Sequence, residues 1–541
     1  MGRWGGRLWS LLLGGPLALA FPRPGWWWLA LVGLAPLLLA SMTAPDGREA
    51  AVRAWLGGTG FFLAVNAFLF PTVGVFMVPL AMLLAVLWAP VGWLARALLG
   101  GGRGRPGPGR LAAALVLVPS AFVAGEALRS WDALGGPWGL LGASQWNAPA
   151  LLAVAALGGV WLLGFLLVAV NVAVAAAVRP GVPGATRALA VGVAAALPLA
   201  ALAFWSLRPA PPPAGTARVA FVQPGVVGPV EARFRASERL SRGLAASRPD
   251  LVVWGESSVG RDPAAHPGDL ARLEAVARAA GAPVLANVDA QREAGGGIYK
   301  TALLVGPAGV LGSYDKMRLV PFGEYVPLRP LLGWVTRFTD AARVDRHRGR
   351  HLAVLHAGDL AVGPLICFES AFPDLARNLA AAGADLVVVQ TADTTFQGTW
   401  GLDQHASLAG VRAVESGRPV LQAALSGTSA AFDARGHRLA WAPGTWRGAA
   451  TVELPLSRER TPYDRVGDVV PVACLLALAA GDSATWSAAW PPRSPIGSCG
   501  PLVVSLAVWS SISVFSSAPT STITAVRYSQ NIRMMIPARA P

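Results

Sequence analysis

Apolar runs long enough to cross a bilayer dominate the first 208 residues, and that feature constrains the fold more than any other. A hydrocarbon core requires about 20 apolar residues in a helix, because backbone groups in lipid must satisfy their own hydrogen bonds. Seven runs are candidates, at 8–22, 25–42, 54–72, 75–95, 111–128, 149–178 and 188–207. The first is short and carries Pro16. Reading it as a cleaved signal peptide is weaker, since a second apolar run follows at once without a clear small-residue cleavage site. With a cytoplasmic amino terminus, the inner segments hold Arg3, Arg7, Arg48, Arg53, Arg96, Arg103, Arg105, Arg110, Arg179 and Arg187. The outer segments hold Arg23, Arg129 and Arg208. That bias follows the positive-inside rule, and seven crossings deliver the rest of the chain to the outer face of the membrane.

The 541-residue chain is 54% hydrophobic and 14% charged, against about 25% charged for a soluble protein. Its net charge of +15 would suit a nucleic acid if it formed one patch. Much of it instead flanks apolar runs, and no RNA- or DNA-binding signature is present, so nucleic acid is not an expected partner. Residues 1–208 therefore read as a transmembrane helical domain and the Pro-rich stretch 209–216 as a stiff linker. Residues 217–466 read as a globular domain large enough for its own core. Short apolar strands are expected at Val219–Gln223, Leu251–Trp254, Pro283–Asn287, Ala302–Val305, Ala361–Cys367, Leu386–Gln390 and Val420–Ala424. Helices are expected at 232–247, 269–280, 373–382 and 403–416. Such alternation predicts a layered α/β domain with buried strands. Residues 467–541 hold a short C-terminal membrane segment and a tail without a clear reading.

Three motifs at strand ends carry chemistry. Val252-Val-Trp-Gly-Glu256 ends in a carboxylate, Tyr314-Asp-Lys316 in an ammonium and Pro364-Leu-Ile-Cys367 in a thiol. Cys367 is the one cysteine of the globular block, so no disulfide can form within it. Lys300 and Lys316 are the only lysines among 45 basic residues, which makes each worth attention. A carboxylate can take the thiol proton, the thiolate can attack a carbonyl, and an ammonium can stabilise the oxyanion. Taken singly, each has a plainer reading: a buried inert thiol, a helix-start carboxylate and a solvated surface lysine. Glu324 in particular could simply pair with Arg318 or Arg329. His347, His351 and His356 lie in an Arg-rich stretch without suitably spaced partners and read as a solvated loop, so no metal site is expected.

Glu256, Lys316 and Cys367, in this order and these contexts, resemble the carbon–nitrogen hydrolase (nitrilase) superfamily. The string from Lys316 to Pro327, Ile366-Cys-Phe-Glu-Ser370 and the preceding spans resemble the apolipoprotein N-acyltransferase family in particular. Glu126-Ala-Leu-Arg129, Gly136-Pro-Trp138, Gln404-His405, Arg412–Pro419 and Thr461–Asp468 also fit, so the resemblance covers roughly residues 1–475. It implies an α-β-β-α sandwich on the extracytoplasmic side of a bacterial cell membrane. It also implies a ping-pong transfer of an acyl chain from a phospholipid, through a Cys367 thioester, to the amino terminus of a diacylglyceryl lipoprotein. Glu256 would be the base, Lys316 the oxyanion stabiliser, and Glu324 and Glu369 supporting carboxylates, with no cofactor or metal. Candidate lipid contacts are Trp334, Phe338 and Phe368. The segment Leu328–Phe338 could dip into headgroups or pack on the domain's own core. The chain departs from the family at Phe368, at Leu425-Ser-Gly-Thr428 and across Thr391–Gly398, which keeps Asp393 and Phe396. Two other functions stay open: a membrane-tethered amidase for small amides, and a transporter or assembly protein whose outer domain only binds.

Overall fold

The computed structural model describes residues 3–100, 105–131, 136–212, 214–291, 297–337 and 344–481. Phe338, Cys499 and the tail from residue 482 lie outside them. Among the described residues, four helices are long and apolar enough to cross a membrane: Ala67–Leu99, Pro108–Arg129, Ala155–Val178 and Gly184–Leu207. The first of these joins what read as the end of one run and the whole of the next. The remaining apolar runs form shorter or more polar elements. Arg3–Gly14 passes into a tight turn at Gly15–Ala20, Leu29–Met42 is a short apolar stretch, and Gly47–Val65 opens with Arg48, Glu49 and Arg53.

Helix Ala155–Val178 is broken at its start, where Gly158 and Gly159 leave helical geometry and Gly159 takes φ +68°. A Cβ on Gly159 would lie 2.7 Å from the Tyr463 ring, so only glycine admits this approach. The break frees the Val160 amide, which donates to the Glu415 carboxylate at 2.7 Å. The Trp161 indole donates to Asp468 at 2.9 Å. The helical bundle and the globular part are thus joined by buried polar contacts as well as by apolar packing.

Among the described residues, twelve strands form two six-stranded sheets. They are β1 (Thr216–Gln223), β2 (Leu251–Trp254), β3 (Val284–Gln291), β4 (Ile298–Gly306), β5 (Gly309–Asp315), β6 (Leu355–Ala357), β7 (Leu360–Ile366), β8 (Leu386–Thr391), β9 (Val420–Ala424), β10 (Ser429–Phe432), β11 (Arg438–Ala442) and β12 (Gly448–Pro455). The orders are β12-β1-β2-β3-β4-β5 and β11-β10-β9-β8-β7-β6. β1, β2 and β3 run parallel, as do β7, β8 and β9, and the outer strands are antiparallel. Alternate residues of the first sheet serve two cores. Val219, Phe221, Val253 and Leu285 join the core shared with the second sheet. Ala220, Val222, Val252, Trp254 and Ala286 pack under helices Val230–Ser241 and Pro267–Ala280. Helices Pro373–Ala381 and Gly401–Ser416 cover the second sheet. The result is an α-β-β-α sandwich. Its parallel strands are buried on both faces, which explains why they read as unbroken apolar runs.

Candidate active site

The carboxyl ends of β2, β5 and β7 converge, and each delivers one of the three candidate groups. Glu256 follows β2, and its amide donates to the Thr391 carbonyl of β8 at 3.1 Å. Its Oε2 accepts the Ala392 amide at 3.1 Å, so the carboxylate is held by both sheets. Lys316 follows β5 and is 1% exposed. Its Nζ lies 2.8 Å from Glu324 Oε1 and 3.6 Å from Glu256 Oε1. Cys367 follows β7 and opens a short turn, Cys367–Ala371, with φ +55°. A non-glycine residue held in that region stores on the order of 1–3 kcal/mol, which marks the thiol's position as imposed by its surroundings. The half-buried thiol lies beside the Glu256 carboxylate, close enough for each to shift the other.

Glu369 builds the turn that presents the thiol. Its Oε2 accepts the Ile366 amide at 2.8 Å. Its Oε1 accepts the Tyr314 hydroxyl and the Met317 and Arg318 amides at 2.7, 2.7 and 3.0 Å. One buried carboxylate therefore fixes the turn bearing Cys367 and the loop bearing Lys316 at once. Burial raises its carboxyl above the ordinary value, against the pull of those amides. Glu324 contacts the ammonium directly and also accepts the Val320 amide at 2.9 Å. The plainer pairing of Glu324 with Arg318 or Arg329 does not occur: Arg318 reaches Asp374 and Arg329 reaches Asp345.

Lys300 is the main residue the sequence reading left out. The β3–β4 register sets it opposite Asp289, and its carbonyl accepts the Lys316 amide at 2.9 Å. Its Nζ lies 2.6 Å from Glu256 Oε1, 3.4 Å from Glu324 and 3.6 Å from Asp289. Arg346 completes the cluster at 3.1 Å from Asp289. Glu256, Glu324 and Asp289 thus face Lys300, Lys316 and Arg346, and the charges balance. The rarity of lysine was the available signal for Lys300.

The electrostatics follow from this packing. Burial raises the Glu256 carboxyl, but the Lys300 and Lys316 ammoniums outweigh it and hold the group at about 2. Burial, reinforced by the Glu256 carboxylate and opposed by Lys316, pushes the Cys367 thiol well above its ordinary value. Burial lowers Lys316, yet Glu324 and Glu256 raise it further, so it stays an ammonium. The resting site holds a neutral thiol against an ionised carboxylate and a fixed positive charge.

The lipid-contact candidates fall elsewhere. Phe368 is buried edge-on to Phe372, with ring centroids 5.1 Å apart, and a Cβ on Gly136 would lie 2.4 Å from its ring. Trp334 is exposed on the segment Gly333–Arg337, 6.0 Å from the Phe76 ring. Leu328 and Leu331 on the same arm are exposed as well. Among the three histidines of the Arg-rich stretch, His347 packs beside Tyr299, while His351 and His356 are exposed. The structure instead brings His405, Asp393 and Cys367 together, with possible ligand atoms within 4.8 Å of one another. Both His405 ring nitrogens already face oxygen acceptors, which leaves no lone pair for an ion in this arrangement.

A two-sheet sandwich with a thiol, carboxylate and ammonium at its strand ends, joined to apolar helices, defines a membrane-attached carbon–nitrogen hydrolase domain. Residues 218–461 match the carbon-nitrogen hydrolase family model, and residues 13–173 match that of the apolipoprotein N-acyltransferase N-terminal domain. An apolipoprotein N-acyltransferase from Geobacter metallireducens is 31% identical over 87% of this chain and 94% of its own. One from Azotobacter vinelandii is 32% identical over 85% of this chain and 92% of its own. A carbon-nitrogen hydrolase structure from Helicobacter pylori G27 covers 46% of this chain and 92% of its own at 17% identity, with a TM-score of 0.36. The chain belongs to the apolipoprotein N-acyltransferase family.

Proposed function

We propose that this chain transfers a fatty acyl group from a membrane phospholipid to the α-amine of a diacylglyceryl-cysteine at the amino terminus of lipoproteins. Residues 1–208 would anchor it as a multi-pass protein of a bacterial cell membrane, 209–216 would link, and 217–466 would catalyse on the extracytoplasmic side. The observation that carries the reading is the convergence of Cys367 and Lys316 on the Glu256 carboxylate, with Lys316 Nζ 3.6 Å from it, in a chain with four membrane-length helices among the described residues.

The gap between a raised thiol and a depressed carboxyl means that little thiolate exists at rest. Glu256 takes the thiol proton only as sulfur attacks the ester carbonyl and negative charge passes to oxygen, where Lys316 stabilises it. Collapse breaks the ester C–O bond. The lysophospholipid leaves with the proton from Glu256, and the chain remains as a thioester. The lipoprotein amine then attacks, Glu256 accepts its proton, and sulfur departs and recovers a proton as the amide forms. Glu324 holds Lys316, and Glu369 holds the turn beneath the thiol. Lipid substrates account for the membrane attachment, since reaction at the bilayer surface avoids drawing acyl chains into water.

Detergent-purified protein, given acyl-labelled phospholipid and a diacylated lipopeptide, is expected to release lysophospholipid and add a third chain to the peptide. Hydrolysis of small amides with no reaction on phospholipid would replace this reading with that of a tethered amidase.

A further inference from the structure

We propose that His405 is a positioning residue for the Cys367 thiol, acting through the Cys367 carbonyl and braced by Asp393 on one side and by Trp138 of the helical bundle on the other. This rests on the reading of Cys367 as nucleophile. His405 sits on helix Gly401–Ser416 and is buried, as is Asp393. His405 Nε2 lies 3.0 Å from the Cys367 carbonyl oxygen, and Nδ1 lies 2.8 Å from Asp393 Oδ1. Both of these oxygens accept, and the Thr391 hydroxyl 3.3 Å from Nδ1 donates to Asp393, so each ring nitrogen donates and the ring is an imidazolium balanced by Asp393. Burial works against that charge and the Asp393 carboxylate more than restores it, so the ring's pKa is raised.

The ring has little freedom to leave. Trp138 packs edge-on against it with centroids 5.5 Å apart. The Trp138 indole donates to Gln404 at 3.0 Å, and the Trp138 carbonyl accepts Arg129 at 2.5 Å. Cys367 has φ +55° and needs an external hold on its peptide to keep that geometry. A charged donor on its carbonyl is such a hold, and charge-assisted hydrogen bonds are the stronger kind. The bundle loop therefore reaches the nucleophile through Trp138, His405 and one peptide carbonyl, so the thiol's aim toward Glu256 depends on the docked bundle.

The test uses the full-length protein in detergent. Two assays are read: iodoacetamide alkylation at Cys367, mapped by peptide mass, and steady-state lysophospholipid release, which gives kcat and KM. Alkylation needs no lipid, so it reports on this proposal even if acyl transfer itself were disproved. His405→Ala is expected to slow alkylation and lower kcat at least tenfold with KM little changed. His405→Gln, whose amide N–H can meet the carbonyl, is expected to recover much of both. Wild-type alkylation and kcat in His405→Ala overturn the proposal, and so does failure of His405→Gln to improve on it. If His405→Ala does not purify as a folded protein, the isosteric Asp393→Asn decides. Severalfold slower alkylation supports the brace, and a wild-type rate rejects it.

Discussion

Lys300→Met removes the cation nearest to Glu256, 2.6 Å away against 3.6 Å for Lys316. The Glu256 carboxyl stands at about 2 against an ordinary 4.5, which corresponds to about 3 kcal/mol favouring the folded carboxylate. Lys300 is the nearer of the two ammoniums that outweigh burial, so the variant is expected to lose about 2 kcal/mol near neutral pH. For a domain of this size that is a drop of about 4–8 °C in melting midpoint. The sign is fixed by linkage. A depressed carboxyl contributes stability that is complete above its ordinary pKa of 4.5 and is lost as pH falls toward about 2. Lys300 is raised above its ordinary 10.5 by Glu256, Glu324 and Asp289 despite burial, so its contribution is complete below 10.5 and lost at higher pH. The gap between wild type and Lys300→Met should be widest between about pH 5 and 10 and should narrow toward acid. Tryptophan fluorescence melting across pH in detergent measures it. The acid limb of Cys367 acylation should also move up by about 1–2 pH units as the carboxyl loses its nearest cation. Equal melting at every pH, with an unmoved acid limb, would refute the ion pair between Lys300 and Glu256.

Lys316→Met is expected to lower kcat by about 10²–10³-fold with a smaller effect on KM, since it removes a charge used mainly as the oxyanion forms; steady-state lysophospholipid release measures this. Glu256→Gln should remain folded, because an amide still accepts from Ala392, yet lose thioester formation in single-turnover labelling. Gly136→Ala meets both a φ of +73° and the Phe368 ring at 2.4 Å, and should cost about 1–3 kcal/mol in a melting assay. Preserved stability there would show that the bundle loop is not packed against the nucleophile turn.

The seven apolar strands legible in the sequence, among them β2, β7 and β8, are buried on both faces, so period and neighbours had little to confuse. β5, β6 and β10 to β12 escaped notice because they are short or half-exposed and hold few of the bulky branched residues that mark a strand. Glu256 and Cys367 were readable because each ends an apolar strand, and Lys316 because lysines are scarce. Lys300 gains its place from a cross-strand register with Asp289, and His405 from a helix docked over β9, β10 and the Cys367 turn, neither of which a linear pattern encodes. The resemblance drew in Gln404-His405 and Asp393 but gave them no role. In the helical part, apolar length read alone overlooked the breaks: Gly158 and Gly159 end one helix early to seat Tyr463 and expose an amide for Glu415.

In the proposed reaction, sulfur carries the acyl chain between two lipids. Incubating the protein with acyl-labelled phospholipid in the absence of acceptor, followed by intact and peptide mass measurement, tests it directly. A single fatty acyl increment on the Cys367 peptide, removed by hydroxylamine and absent in Cys367→Ser, is the predicted result. Triacylated peptide formed by a protein on which Cys367 never carries that increment, or an undiminished rate in Cys367→Ser, would contradict it.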